Sequence, residues 1–243
     1  MLDKEFREIV LIGCNSDIGI SIVNQLPVAK KAKLHLIGKT EPLRNRFMHP
    51  YSSIEFAYCD LESPSDIKSI FLEFPKYSNV DLVILAAGYL PSENLEFDLN
   101  SVEKTLLINA LSSIMLLSGF VNLIKDVEGA QILVISSVAA TRPRLKNFTY
   151  GTSKKALDFY ARGLQNKFSN SAIKISLLRP GFVYTKMTTS FKPAPFALKQ
   201  SKVAEIAVKG LLKNKKIIYA PKKLKLVMKL VELIPRIIFN KLG

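Results

Sequence analysis

The chain has 243 residues, 48% of them hydrophobic, with two cysteines and a formal net charge of +15. That length and apolar content suit one large α/β domain with a buried core and exclude a disulfide-stapled miniature, since Cys14 and Cys59 lie far apart and form no Cys-x-x-Cys pair; a reducing compartment is expected. The charge is uneven: residues 202–243 hold eleven Lys or Arg against Glu205 and Glu232, a surplus that suits nucleic acid, anionic lipid or simply a solvated face.

The first residues carry acids and are followed only by a short apolar run (9–12), which is not the pattern of a signal peptide. No stretch is read as the roughly 18–20 apolar residues that span a bilayer, so the expected location is the cytoplasm or the inner face of a membrane. The run 9–12 is the first of four, with 80–87, 132–135 and 173–178, that are short, rich in Val, Ile and Leu, and closed by Gly, Ser or Pro-Gly. They read as buried parallel strands. Weaker strands are expected at 33–37, 54–58 and 216–219, and helical patterns cover 101–125, 148–168 and 203–212. Strands alternating with helices predict an α/β fold, a Rossmann-like doubly wound parallel sheet with right-handed crossovers. Residues 1–243 form a single domain in this reading, ending in a basic amphipathic segment, 222–243. In such sheets ligands bind beyond the carboxyl ends of the strands. The unusual residues gather at those ends: 13–19, 59–60, 86–88, 136–137 and 180–181.

The first strand runs into Gly13-Cys-Asn-Ser-Asp-Ile-Gly19. Glycine permits a tight turn and close backbone approach to a pyrophosphate, although an ordinary strand-to-helix turn with Asp17 as N-cap fits the same residues. Tyr150-Gly-Thr-Ser-Lys154 opens a helical pattern and sets its tyrosine and lysine at i, i+4 on one face, while Ser137 closes a strand thirteen residues earlier. An ammonium beside a tyrosine stabilises the phenolate, so the phenol pKa is expected to fall from about 10 toward working pH and the group to act as a general acid. A plain surface Tyr/Lys pair is the alternative for this motif taken alone. His35 and His49 have no partners at metal-ligand spacing, and no metal is expected.

Together these residues resemble the short-chain dehydrogenase/reductase family over essentially the whole chain. The resemblance implies a nicotinamide-dependent reductase in which Tyr150 protonates the substrate oxygen and Ser137 holds that oxygen. Lys154 binds the nicotinamide ribose and lowers the tyrosine pKa, and Asn109 maintains a water-linked proton path. It implies cofactor contacts at Gly13, Asn15, Ser16, Asp17, Ile18 and Gly19 in the turn, and at Asp60 and Leu61 near the adenine. Ala86, Ala87 and Gly88 stand in the family's Asn-Asn-Ala-Gly segment, and Pro180, Gly181, Val183 and Thr185 pack on the nicotinamide. One departure is Asp17, which replaces the middle glycine and puts an acid beside the expected pyrophosphate. Another is Lys39, just past the second strand, where a base suits the 2′-phosphate of NADPH and an acid suits NADH; NADPH is expected, with NADH the alternative.

The stretches Arg142-Pro-Arg-Leu-Lys-Asn-Phe-Thr-Tyr150, Arg179-Pro-Gly-Phe-Val-Tyr-Thr-Lys-Met187 and Ile234-Pro-Arg-Ile-Ile-Phe-Asn-Lys-Leu242 resemble one subgroup, the decaprenylphosphoryl-2-keto-pentose reductases. That likeness implies reduction of the 2-keto group of a polyprenyl-phosphate-linked pentofuranose in cell-envelope arabinose synthesis, with an FAD-dependent oxidase as partner. Arg142, Arg144, Lys146, Lys186 and Lys192 are then candidates for the substrate phosphate, with solvated loop charge as their other reading. In the segment 222–234, Lys222, Lys225, Lys229 and Glu232 fall on one helical stripe with apolar residues around the rest, which suits peripheral membrane contact, an oligomer contact or packing on the body. A homo-oligomer is expected. Reduction of another small carbonyl (ketoacyl, steroid or sugar) and a non-catalytic nicotinamide sensor are the competing functions. No recognition motif or stacking pattern supports nucleic-acid binding.

Overall fold

The computed structural model describes residues 4–72, 77, 79–92, 95, 97–144 and 146–235. The last stretch of the subgroup resemblance, 236–242, and the end of the segment 222–243 lie outside them.

Seven parallel strands form one sheet in the order β3-β2-β1-β4-β5-β6-β9: β1 (Phe6–Ile12), β2 (Val28–Gly38), β3 (Ser53–Tyr58), β4 (Leu82–Leu85), β5 (Gln131–Ile135), β6 (Lys174–Pro180) and β9 (Ile217–Ala220). The expected doubly wound sheet is therefore present, with the strand ends moved by a few residues. The central strands β4 and β5 are buried along their whole length, as strands covered on both faces must be. In β1 the alternation of a strand divides one apolar run between two cores. Ile9 and Leu11 pack on the side that also holds Ala204 and Ala207, and Val10 and Ile12 on the side that holds Phe120 and Leu157. His35 is part of this interior, hydrogen-bonded through Nε2 to Glu8 at 3.0 Å.

The helices are α1 (Asp17–Val23), α2 (Pro64–Leu72), α3 (Leu99–Leu106), α4 (Ser113–Ile124), α5 (Phe148–Lys167), α6 (Gln200–Leu211) and α7 (Leu224–Leu233). Sequence periodicity missed α2 and the two-residue strands β7 (Val183–Tyr184) and β8 (Leu198–Lys199), which pair with each other. A π-helical turn, Leu107–Ser112, joins α3 to α4, so Leu99–Ile124 is one continuous 26-residue helix. By length and composition this helix is apolar enough to cross a bilayer, contrary to the expectation above, but half of its most apolar window is buried inside the protein. Ser112 donates to the Leu61 carbonyl at 2.6 Å and Ser113 to the Ile108 carbonyl at 2.9 Å, so these two buried hydroxyls are satisfied within the domain.

The strand order reverses between β1 and β4, its two central neighbours. Chains leave these strands in opposite directions, opening a crevice at their carboxyl ends. Gly13 follows β1 there, and Ala86, Ala87 and Gly88 follow β4.

Candidate active site

A cleft of about 1130 Å³ opens at this switch point. Its floor is the turn after β1. Gly13 has φ +76°, and a Cβ on it would lie 2.6 Å from the Cα of Ala87, so both conformation and space require glycine. Asn15, Ser16, Asp17 and Ile18 line the cleft beside it. The Asn15 amide donates to the Thr40 carbonyl at 2.7 Å, which ties the turn to the end of β2. Ser16, not Asp17, is the N-cap of α1: its Oγ accepts the Gly19 N–H at 3.2 Å. Gly19 does not line the cleft. A Cβ there would meet Ala86 Cβ at 2.8 Å and Leu11 Cδ1 at 2.9 Å, so its smallness serves the packing of α1 on the sheet.

Asp17 turns away from the turn it was expected to burden. Its Oδ1 accepts from Arg46 Nη2 at 3.0 Å and its Oδ2 from the main-chain N–H of Lys186 at 2.8 Å. The acid is thus neutralised by Arg46 and fastens the loop after β6 to the start of α1.

The catalytic candidates meet at the middle of the cleft. Ser137 follows β5, and α5 carries Tyr150 and Lys154 one turn apart. Tyr150 and Ser137 share a side-chain hydrogen bond. Lys154 Nζ donates to the Ile135 carbonyl at 3.2 Å and stands 5.9 Å from the centre of the Tyr150 ring. Gly151 lets α5 approach this closely, because a Cβ there would stand 3.0 Å from the Ala139 carbonyl oxygen. The sequence reading had left that glycine without a role. A side chain on Gly88 would face Asn109 Oδ1 at 3.2 Å and Lys154 Nζ at 3.3 Å. Asn109 lies within the π-helical turn, and its amide is taken up by the backbone of Tyr89, accepting from the N–H at 2.7 Å and donating to the carbonyl at 2.6 Å. Its side chain therefore clamps the segment after β4 against Lys154.

Burial corrects the expected titration. Desolvation pushes the Tyr150 phenol up to about 12, against a smaller lowering by the Ser137 hydrogen bond, and pushes the Lys154 ammonium down to about 8. The fall expected from a neighbouring ammonium is outweighed because both groups are withdrawn from water.

Behind the site lies a polar cluster that the sequence reading missed. Arg179, at the end of β6, donates to both Asp158 oxygens at 2.8 and 2.6 Å and to the Tyr219 hydroxyl at 2.7 Å. Asp158 also accepts from Ser136 Oγ at 3.0 Å. Asp158 follows Lys154 by one further turn of α5, so the pair fixes the catalytic helix to β5, β6 and β9. Its signal in the sequence was an arginine closing an apolar strand.

At the other end of the cleft Lys39 is 61% exposed and pairs with Asp60 at 2.6 Å, which raises the lysine pKa and lowers that of the acid. Leu61 adjoins them. Pro180, Gly181, Val183 and Thr185 line the side that follows β6, and Thr185 forms a capping box with Thr188. The five candidate phosphate cations separate. Arg142 lines the cleft, and its Nη1 also donates to the Val231 carbonyl and, at 2.6 Å, to the Ile234 carbonyl, so it caps the end of α7 as well. Arg144, Lys146 and Lys186 line the cleft; desolvation lowers the Arg144 pKa. Lys192 borders a smaller pocket beside it, shared with Lys146.

A switch-point cleft holding a serine, a tyrosine and a lysine in mutual reach defines an oxidoreductase of the dinucleotide-binding α/β class. The profile of the family described as short chain dehydrogenase matches residues 7–195, and the chain belongs to that family. An uncharacterized oxidoreductase of Mycobacterium tuberculosis is similar to it, 24% identical over 249 residues that span 100% of this chain and 99% of that protein. A short-chain dehydrogenase from Sphingobium yanoikuyae, solved in complex with NADPH, shares the fold with a TM-score of 0.75 at 16% identity, over 95% of this chain and 97% of that one. The bulky-bulky ketone specific alcohol dehydrogenase from Comamonas testosteroni does so with a TM-score of 0.75 at 15% identity, over 96% of each chain.

Proposed function

We propose that the protein reduces the ketone of a largely apolar, anionic substrate to a secondary alcohol, with NADPH as hydride donor. The observation that carries this reading is the composition of one cleft. Ser137, Tyr150 and Lys154 share it with the glycine turn and Lys186, which is held against Asp17 of that turn, and with Leu224, Val227, Met228 and Phe196 and the cations Arg144 and Lys146. Apolar walls with a cationic rim suit a bulky ketone that carries a phosphate or carboxylate. The narrower form of this reading, a polyprenyl-phosphate-linked 2-keto-pentofuranose, rests on the resemblance of the stretches 142–150 and 179–187.

The glycine turn suits a dinucleotide, because Gly13 at φ +76° makes a tight turn packed on the Ala87 backbone, and the residues of that turn line the cleft at the start of α1. Asn15, Ser16, Ile18, Ala86 and Ala87 would hold it along that wall, with Asp60 and Leu61 toward its adenosine end. The exposed Lys39 ammonium supports NADPH over NADH, as does the NADPH complex of the Sphingobium yanoikuyae relative. Reduced nicotinamide supplies the hydride when bound. The protein's own task is the proton. A phenol at about 12 stays protonated at neutral pH, so Tyr150 holds the proton that the ketone oxygen needs. Ser137 orients the same oxygen through the hydroxyl that it already shares with Tyr150, and Lys154, charged below about 8, favours release of the phenol proton.

Tyr150→Phe tests this. With a geranyl-phosphate keto-pentofuranose as substrate, turnover measured by NADPH oxidation should fall by about 10²–10⁴-fold, while NADPH binding measured by fluorescence stays within a factor of about three. Near-normal turnover by the variant would refute the assigned chemistry.

A further inference from the structure

The outer face of α7 has no counterpart in the chemistry above. The inner face is fully used: Leu224 and Met228 are buried with Val138, Val227 and Val231 pack beside them, and Leu224 sits where a side chain on Gly181 would clash. Arg142 fastens the last carbonyls of the helix to the segment that follows Ser137. The apolar residues expected to surround the lysine stripe therefore divide into two groups on opposite sides. Leu226, Leu230 and Leu233 point outward, 65%, 56% and 79% exposed, and their i, i+4, i+7 spacing draws one stripe along the helix. Lys222, Lys225 and Lys229 run along one flank of that stripe and Lys223 along the other, and all four are exposed. Among the described residues no carboxylate lies within ion-pair distance of Lys222, Lys225 or Lys229.

We infer that this face docks on an anionic lipid bilayer. Exposed leucines bordered by long cationic side chains are the arrangement of a helix lying in a membrane interface: leucines enter the acyl boundary while lysines rise to the phosphates. Charge selects this occupant, since a second copy of a chain carrying +15 would bring lysines against lysines. The inner face of the same helix walls the cleft through Leu224, Val227 and Met228, so docking sets the apolar end of the cleft beside the bilayer. A substrate with a lipid tail would then reach Tyr150 without crossing water. Docking does not depend on which ketone is reduced, and its test reads lipid binding alone.

The test is co-sedimentation of the full chain with phosphatidylglycerol/phosphatidylcholine vesicles and with phosphatidylcholine vesicles alone. Binding should be strong on the anionic vesicles, weak on the neutral ones, and lost as salt rises. At about fivefold per lysine, the variant K222E/K225E/K229E should lose at least about a hundredfold in partitioning. L226S/L230S/L233S should lose binding on anionic vesicles while keeping the lysines. Both variants should keep the wild-type melting profile and NADPH affinity, because none of these side chains lines the cleft. Equal binding of wild type to both vesicle types, or no binding to either, overturns the proposal. So does retention of binding by the variants, or a wild-type dimer in sedimentation equilibrium that the leucine variant converts to monomer.

Discussion

Replacing Asp158 by asparagine should destabilise the protein severely. The Asp158 and Arg179 side chains are 2% and 10% exposed, and two hydrogen bonds of 2.6 and 2.8 Å join them. Asparagine keeps the shape but removes the charge, so the Arg179 guanidinium stays buried with only a hydroxyl and an amide for company. Breaking a buried pair in this way costs about 3–5 kcal/mol. At roughly 2–4 °C per kcal/mol for a chain of this size, the melting temperature should fall by about 6–20 °C. Removing both charges is different, because no uncompensated ion remains. Asp158→Leu combined with Arg179→Met should lie within about 2 kcal/mol of wild type, the residual loss coming from the unpartnered hydroxyls of Ser136 and Tyr219. Thermal and urea unfolding followed by circular dichroism would give the three stabilities, and the coupling follows from the double-mutant cycle. A loss below about 1 kcal/mol for Asp158→Asn, or simple additivity in the cycle, would show that the pair is not the clamp that holds α5 to the sheet.

Lys39→Asp should weaken NADPH binding selectively and spare or improve NADH, since it removes the exposed ammonium and sets two acids together at the end of β2; parallel fluorescence titrations check this, and equal loss for both cofactors would remove Lys39 from the selectivity. Lys154 makes stability and activity move oppositely with pH. Its ammonium falls from 10.5 in the unfolded chain to about 8 in the folded one, which corresponds to about 3 kcal/mol of destabilisation below pH 8. Between about pH 8 and 10.5 the unfolded chain binds the proton and the folded chain does not, so unfolding free energy should rise while ketone reduction declines. Lys154→Met should abolish that rise, melt higher than wild type at pH 7 and lose turnover; a lower melting temperature would contradict the assigned burial cost.

Much of the fold was legible because strand and helix periods are local. The runs at 9–12 and 132–135 have no reading other than buried strands or helix fragments, and the glycines, serines and prolines that close them decide for strands. The i, i+4 spacing of Tyr150 and Lys154 guaranteed a shared face once 148–168 was read as a helix. The helix at 99–124 is by its sequence long and apolar enough to span a bilayer, and only the fold shows that half of its most apolar window is buried.

The sequence by itself determined which chemical groups the chain carries, their spacing along each element, and the strand ends at which they would collect. Only the tertiary structure decided what each group faces. Asp17 meets partners 29 and 169 residues away, and Arg142 meets carbonyls 89 and 92 residues away. No local pattern reports such pairings, because they depend on which loops the sheet order brings together. The leucines of α7 look alike in sequence, yet Leu224 is core while Leu226, Leu230 and Leu233 are surface. The same holds for protonation: the Tyr150 phenol rises and the Lys154 ammonium falls because packing removes water from both, and desolvation is a property of the assembled site.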